Sequence, residues 1–421
     1  MPDELADPLA NRPPGLPWAD GFVAPAYGGH SLVNLAAAIV AGFGAEPPGG
    51  PVLAIPEVAD GLRSARKVVL LLIDALGYEF FTAHLQAEPD SVWHGLVDAA
   101  YPLTSVFPST TVAALTSLWT ARPPLAHGLI AYELLLKELG LTAKMIELTP
   151  SVSREPEWLI RAGLIKPEEF MPLPLISQTL TTAGVGVYGL MYRPYWRSGL
   201  TQMHLRGVTP LGYFTLTDLM VTLREFLNDQ TAGPFYLWVY WAGLDTLGHM
   251  YGVDLPRLRA EFEEVGRLLR DLVLTRLTAQ ARDGLLVLVT GDHGMVTTPE
   301  ESTLMARSEP DLMRPLAFLP TGEGRAAFLY VRPGAEAEVH GYFSGRHPDR
   351  FVLWSGREAL RAGLFGPGEP PDYTLDRVGD LIVVARGNNA IYWGVAPNQM
   401  RGRHGGVEFG EMVVPLIRLR L

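Results

Sequence analysis

Three apolar runs stand out along the chain, and each one ends in a carboxylate. They are KVVLLLIDAL at 67–76, PFYLWVYWAGLD at 234–245 and GLLVLVTGDHG at 284–294. Near-continuous apolar sequence of strand length is typical of strands that are buried on both faces, and such strands belong to parallel sheets. The pattern therefore predicts three strands of a largely parallel central sheet.

A helical pattern separates the second run from the third. Within residues 256–280, apolar side chains recur at the spacing of one helix face, at Leu258, Phe262, Val265, Leu268, Leu269 and Leu272. Strand, helix and strand in this order form a βαβ unit, which again favours parallel pairing. The stretch SLVNLAAAIVAGFG at 31–44 predicts another helix, within a Pro- and Gly-rich N-terminal arm of about fifty residues.

Two segments depart from this alternation. Residues 136–205 mix prolines, aromatic residues and short helices, and we interpret them as a cap-like insertion. Residues 325–386 contain three strand-like and two helix-like stretches, which predicts a small α+β subdomain. We therefore expect residues 1–421 to form a single α/β domain with two insertions.

Composition and charge narrow the class of protein. The 421 residues are 48% hydrophobic and 19% charged, as in an ordinary globular chain, and the net charge of −11 without a basic stripe argues against a nucleic-acid partner. Cysteine is absent, which excludes disulfides, thiolate metal ligands and cysteine nucleophiles. Because the N-terminus lacks a signal-peptide pattern and no apolar run could span a bilayer, we expect a cytoplasmic protein without a membrane segment.

Polar side chains follow each of the three predicted strands. Asp74 follows the first, Asp245 with His249 follows the second, and Asp292 with His293 follows the third. A single Asp after a strand is usually a helix cap or a turn residue, and that interpretation stays open for each one alone. Three carboxylates at one sheet edge, however, would repel each other unless a cation neutralised them. Histidine and carboxylate ligands without thiolates suit zinc, manganese or iron.

Two further motifs carry candidate residues. The stretch STTVAALTSLWTA at 109–121 predicts a helix that begins near Thr110 and Thr111. A hydroxyl there is either an ordinary helix cap or part of an anion site at the positive end of the helix dipole. Near the C-terminus, His404 lies in the glycine-containing turn RGRHGG at 401–406, where it is either solvated or a further metal ligand.

These motifs, in this order, resemble the alkaline phosphatase superfamily and, within it, the type I phosphodiesterase/nucleotide pyrophosphatase family. The matching segments are LLIDALG, TTVAALTSLWTARPPLAHG, DTLGH, GDHGM and RHGG. The resemblance implies an alkaline-phosphatase-like three-layer sandwich and two divalent metal ions, expected to be Zn²⁺ with Mn²⁺ or Fe as alternatives. One ion would be held by Asp245, His249 and His404, and the other by Asp74, Asp292, His293 and the nucleophile hydroxyl.

The nucleophile that the resemblance implies is a threonine. In the family it lies nine residues before a Thr-Gly pair, which Thr120–Ala121 replaces here, and this register selects Thr111 with Thr110 as the alternative. The resemblance further implies a covalent phospho-threonine, which water then hydrolyses.

Two departures from the family pattern bear on the substrate. Tyr132 stands where the family diesterases usually carry an Asn, and Val112 and Ala113 replace their Phe-Pro. We expect a small phosphoester, preferably a phosphodiester or nucleotide pyrophosphate, because no Lys or Arg lies beside Thr111 to balance a dianionic monoester. A phosphomonoesterase, a phosphomutase of the same superfamily and a catalytically silent binding protein are the alternatives.

Overall fold

The structure is a computed structural model that describes residues 12–253 and 256–421. Its strands, numbered β1 to β18 in chain order, are Lys67–Ile73, Val97–Thr104, Glu133–Leu136, Leu141–Lys144, Thr149–Pro150, Gly186–Tyr192, Thr209–Tyr213, Phe235–Trp241, Leu285–Thr290, Val296–Thr297, Thr303–Met305, Thr321–Glu323, Ala326–Leu329, Phe351–Ser355, Leu381–Ala385, Ala390–Tyr392, Gly402–Arg403 and Val413–Leu419. The first eleven residues of the predicted N-terminal arm lie outside the described residues.

Helices connect most of these strands. The α-helices are Leu32–Gly42, Pro56–Ser64, Tyr78–Ala87, Val92–Leu96, Thr111–Thr120, Pro124–His127, Trp158–Arg161, Pro167–Phe170, Ile176–Thr182, Gly199–His204, Leu216–Asp229, Gly243–Tyr251, Pro256–Leu268, Ala279–Arg282, Pro310–Met313, Glu336–Arg346, Gly356–Arg361, Asp372–Val378 and Phe409–Met412. Short 3₁₀-helices cover Arg193–Arg197, Leu274–Arg276, Glu300–Ser302 and Ala306–Ser308, and Leu269–Val273 form one π-helical turn. In the part of the chain that the structure describes, no helix has both the length and the apolar character needed to cross a bilayer.

The central sheet has seven strands in the order β2-β18-β9-β1-β8-β6-β7. The three apolar runs supply β1, β8 and β9, and β1 lies between the other two and pairs with both of them in parallel. Strands β6, β7 and β8 are also parallel, whereas β18 runs antiparallel to β2 and β9. The predicted largely parallel sheet is confirmed, and β18 is its antiparallel exception.

Both faces of this sheet are covered by helices. Along β1 the side chains of Val68, Leu70 and Leu72 enter one hydrophobic core, while those of Val69, Leu71 and Ile73 enter another. The first core includes helices Leu32–Gly42 and Thr111–Thr120, and the second includes Leu216–Asp229 and Pro256–Leu268. Burial on both faces explains why the strand sequences are apolar without alternation. The predicted three-layer arrangement is therefore confirmed.

The helix predicted between β8 and β9 changes its geometry part-way. Its α-helical portion ends at Leu268, and the following π-helical turn adds a residue to the period. Leu268 and Leu269 are buried as the helical spacing predicts, but the next buried position is Val273, and Leu272, which the spacing places in the core, is only partly buried.

A second seven-stranded sheet has the order β14-β15-β13-β12-β3-β4-β5 and is antiparallel throughout. Residues 325–386 supply β13, β14 and β15 as predicted, but they contain three helices and not the expected two, because Asp372–Val378 forms an additional one. Strands β3, β4 and β5 come from residues 133–150 and continue the same sheet. The division of the chain into two insertions stays a prediction.

Candidate active site

The carboxyl ends of β1, β8 and β9 bring three aspartates together. Asp74 directly follows β1, Asp245 lies in the first turn of the helix that follows β8, and Asp292 lies two residues beyond β9. Neighbouring parallel strands end at the same edge of a sheet, so these side chains converge. The backbone N–H of Ala75 donates a hydrogen bond of 3.2 Å to Oδ1 of Asp292, which ties the ends of β1 and β9 to each other.

Three histidines complete the cluster. His249 lies one helical turn beyond Asp245, and its Nε2 is 3.2 Å from Oδ1 of that aspartate. Nε2 of His404 lies 3.8 Å from the same oxygen, and the rings of His293 and His404 stack with centroids 3.7 Å apart. The structure therefore brings the six His and Asp residues singled out in the sequence to one place.

Each histidine ring is oriented by a backbone carbonyl. Nδ1 of His249 lies 2.9 Å from the carbonyl oxygen of Gly402, and Nδ1 of His293 lies 2.9 Å from that of Gly294. Nδ1 of His404 lies 3.1 Å from the carbonyl oxygen of Ser109. Because a carbonyl can only accept, Nδ1 carries the proton in each ring. In the neutral rings Nε2 is then left as a lone pair that faces the aspartates.

The aspartates present oxygens that lack any hydrogen-bond donor. Oδ1 of Asp74, Oδ1 of Asp245 and Oδ2 of Asp292 are all buried without a hydrogen-bond partner among residues 12–253 and 256–421. Nε2 of His293 lies 3.5 Å from both Asp74 Oδ1 and Asp292 Oδ2. Acceptor atoms face each other across this space, an arrangement that requires a proton or a cation between them.

The pKa values report the same conflict. Burial raises the pKa of Asp74 well above its usual range and raises those of Asp245 and Asp292 to about 7, and neighbouring aspartates add to the shift. Burial lowers the pKa values of His293 and His404, so that both rings are neutral near pH 7. Without a cation, the cluster therefore disfavours both the ionised form of its aspartates and the protonated form of His293 and His404.

The donor atoms fall into two overlapping groups. Those of Asp245, His249 and His404 all lie within 4.8 Å of one another, and so do those of Asp74, Asp245 and His293. Asp245 thus belongs to both groups. Asp292, which the resemblance puts with Asp74 and His293, lies beside the second group through its contact with His293.

The two candidate threonines have different surroundings. Thr111 is the first residue of helix Thr111–Thr120, and its Oγ1 lies 3.1 Å from Nε2 of His293. Thr110 is the N-cap residue with extended backbone, and its buried hydroxyl forms a hydrogen bond to the carboxyl group of Glu323. The cluster is therefore adjacent to the hydroxyl of Thr111, whereas that of Thr110 is engaged elsewhere.

Several contributors to the site were not identified from the sequence. The Tyr240 hydroxyl donates a short hydrogen bond to Oδ2 of Asp74. Glu411 accepts a hydrogen bond from the backbone N–H of Gly406 and forms a fully buried ion pair with Arg325, and these contacts hold the turn that carries His404. The only signal for Tyr240 in the sequence is a hydroxyl-bearing ring inside an otherwise apolar strand.

A cavity of about 290 Å³ opens beside the cluster. Three residues of the site, Asp74, Thr111 and Asp245, line this cavity. The rest of its wall consists of Leu115, Trp119, Ile146, Glu147, Met191, Tyr195, Ser198, Leu200, Thr201, His204, Trp238, Tyr240, Ala242 and Thr246. Of the segment YRPYWR at 192–197, only Tyr195 belongs to this wall, because Arg193 and Trp196 line a separate surface depression. Tyr132 reaches the cavity only indirectly, through a hydrogen bond of 3.4 Å from its hydroxyl to Glu147.

A family model described as type I phosphodiesterase/nucleotide pyrophosphatase matches residues 68–406 of this chain. The chain belongs to the type I phosphodiesterase/nucleotide pyrophosphatase family. The resemblance inferred from the sequence motifs is thereby confirmed, and membership makes the protein an enzyme of the phosphoester hydrolase class. No curated protein sequence matches the chain.

Solved structures of other proteins share the fold of this chain. Murine ectonucleotide pyrophosphatase/phosphodiesterase 5, an inactive variant in complex with AMP, is 19% identical, with 83% of this chain and 87% of that chain covered and a TM-score of 0.59. The human protein of the same name is 18% identical, with coverage of 84% and 87% and a TM-score of 0.59. Phosphonoacetate hydrolase from Sinorhizobium meliloti 1021, in complex with phosphonoformate, is 18% identical, with coverage of 84% and 90% and a TM-score of 0.60.

The unpaired Oδ2 of Asp292 should destabilise the protein once a chelator has been added. Asp292→Asn keeps the oxygen that accepts from Ala75 and replaces the unpaired oxygen by an N–H donor that faces His293. We expect it to stabilise the chelator-treated protein by about 1–3 kcal/mol at pH 8, measured by urea unfolding. The gain should shrink as the pH falls through about 7, because the native carboxyl group then becomes protonated.

The control for this measurement is Asp90→Asn, which changes an exposed aspartate and should leave stability unchanged. A loss of stability in the Asp292 variant at pH 8 would contradict the conclusion that Oδ2 of this carboxylate lacks a hydrogen-bond partner among the described residues.

Proposed function

We propose that the protein is a metal-dependent phosphodiesterase with two divalent cations. The Asp245 group (Asp245, His249 and His404) would hold one cation, and the Asp74 group (Asp74, Asp292 and His293) would hold the other together with the Thr111 hydroxyl. The observation that carries the proposal is the convergence of three buried, unpaired carboxylate oxygens with three histidine Nε2 atoms.

The residues present fit divalent cations in their chemistry as well as their positions. Metal-binding histidines generally donate their other N–H to a carbonyl or carboxylate, as all three do here. Neutral imidazole with carboxylate oxygen suits Zn²⁺, with Mn²⁺ or Fe as alternatives. Bound ions would stabilise charge on the phosphoryl oxygens and lower the pKa of the Thr111 hydroxyl.

Thr111 is the proposed nucleophile. Its hydroxyl faces His293 at the start of a ten-residue helix, where the unpaired backbone N–H groups and the helix dipole favour an anionic phosphoryl group. Attack by Oγ1 forms a bond to phosphorus, the bond from phosphorus to one ester oxygen breaks, and the alcohol leaves with a proton in place of the one that Thr111 loses. A water molecule then attacks the phosphorus of the phospho-threonine, which releases the phosphoryl product and restores Thr111.

The cavity supports a diester as the substrate. None of the described residues that line it is a lysine or an arginine, so a dianionic monoester would find no cationic side chain there. Its aromatic and aliphatic wall instead suits an organic substituent. Nucleotide pyrophosphates remain one candidate subclass of substrate, and the cytoplasmic location expected from the sequence remains a prediction.

The nucleophile can be tested with two adjacent variants. Thr111→Ala should lower kcat by roughly a thousandfold or more, because it removes the attacking atom. Thr110→Ala removes only the hydrogen bond to Glu323 and should cost much less. Both variants are to be compared on the same ester after circular dichroism has shown that they are folded. A larger decrease in kcat for Thr110→Ala than for Thr111→Ala would instead identify Thr110 as the nucleophile.

Substrate class is the second test. We expect kcat/KM for bis-nitrophenyl phosphate to exceed that for nitrophenyl phosphate by at least about tenfold, because only the diester matches both the charge and the apolar wall of the cavity. The two esters share one leaving group, and both are measured at the same pH and metal concentration. A tenfold preference for the monoester would instead make the protein a phosphomonoesterase.

A further inference from the structure

A carboxylate that the proposed reaction does not use lines the cavity. Glu147 lies between β4 and β5, and its Oε1 accepts the hydrogen bond from Tyr132. Its other oxygen, Oε2, is shielded from solvent and has no hydrogen-bond partner in the described part of the chain. A shielded carboxylate oxygen without a donor is costly, and a bound molecule that supplies an O–H or N–H would remove that cost.

Charge in the cavity favours a substituent that is not anionic. No lysine or arginine is found among the described residues of the wall. His204 also lines the cavity, but burial lowers its pKa to about 3, so its ring is neutral. The negative charge of Glu147 is therefore uncompensated within the cavity wall, and it would repel a second anionic group on the substrate.

Aromatic rings form part of the cavity wall. Trp119 and Trp238 have ring centroids 5.3 Å apart, and Trp238 stacks on Tyr240 at 5.4 Å. The indole Nε1 atoms of both tryptophans are buried, and neither has a hydrogen-bond partner within the described residues. The cavity wall thus combines aromatic ring faces, which cover carbon atoms, with the carboxylate of Glu147.

We propose that Glu147 determines substrate specificity by accepting a hydrogen bond from the organic substituent of the ester. That substituent carries a hydroxyl or an amino group and no negative charge. A hydroxyl group can donate to Glu147 while its carbon atoms lie against the rings, and an ammonium group can donate to Glu147 in the same position. The inference rests on the proposed phosphodiesterase function, and it narrows the candidate substrates to diesters with a neutral or cationic substituent, which excludes nucleotide pyrophosphates.

Three nitrophenyl phosphodiesters of matched size test the inference on the full-length, metal-loaded protein. Their second substituents are 2-hydroxyethyl, 2-aminoethyl and propyl. We expect kcat/KM for the better of the first two to exceed that for the propyl ester by about tenfold or more, as a hydrogen bond to a charged group predicts. A higher value for the aminoethyl ester identifies a cationic substituent, and a higher value for the hydroxyethyl ester identifies a neutral one.

Glu147→Gln has nearly the same shape and lacks the charge. It should reduce the preference over the propyl ester to threefold or less, because a neutral amide oxygen accepts a weaker hydrogen bond than a carboxylate does. The matched control is Glu157→Gln, which removes a nearby carboxylate that does not line the cavity and should leave the preference intact. A wild-type enzyme that cleaves the propyl ester as well as the other two would overturn the proposal. An unchanged preference in the Gln variant would do the same and would leave Glu147 only as the partner of Tyr132.

Binding separates this inference from the proposed function. The methylphosphonate monoesters of ethylene glycol, ethanolamine and propanol have a poor alkoxide leaving group in place of nitrophenolate, so their Kd values can be measured by calorimetry. If none of the nitrophenyl esters is hydrolysed, the proposed function fails. Tighter binding of a hydroxyl- or amino-bearing phosphonate that is lost in Glu147→Gln would still support the role of Glu147, and equal binding of all three would refute it.

Discussion

The site depends on one electrostatic constraint, the collection of three aspartates at the end of buried parallel strands. Two unit charges about 4 Å apart interact by roughly 4 kcal/mol at the effective dielectric constant typical of proteins, and here the charges have the same sign. Asp74, Asp245 and Asp292 have unpaired oxygens in this space, and their raised pKa values express the cost. Only protons or cations can neutralise this arrangement, and cations also satisfy the lone pairs of the histidines.

The backbone around the cluster keeps the histidines from satisfying the aspartates themselves. Each ring donates its Nδ1–H to a carbonyl, and the neutral rings of His293 and His404 then have no N–H left to donate to a carboxylate. For His404 this orientation depends on the turn that follows, where Ser109 donates a hydrogen bond of 2.8 Å to the carbonyl of Gly406. The buried pair of Arg325 and Glu411 fixes the same turn from the other side. An ordered backbone thus preserves an arrangement that would relax if the rings were free to turn.

Much of this site could be predicted from the sequence because its signals are local. An apolar strand followed by Asp, a His one helical turn later and a Thr at a helix start are all visible within a few residues. The groups that surround the cluster are joined by contacts between distant residues, and no periodic pattern predicts them. Tyr240 and Asp74 are 166 residues apart, and Tyr132 and Glu323 are 191 apart. For the same reason the sequence did not indicate that residues 133–150 and 321–385 share one sheet.

Two bound cations are the proposed occupants of this cluster. Anomalous diffraction from crystals grown with Zn²⁺, with data collected on both sides of the zinc absorption edge, tests this proposal most directly. We expect two anomalous peaks, one bounded by the Asp245 group and one by the Asp74 group with Thr111. Crystals that contain Zn²⁺ elsewhere but show no anomalous peak at either of these positions would contradict the proposed binding of two cations.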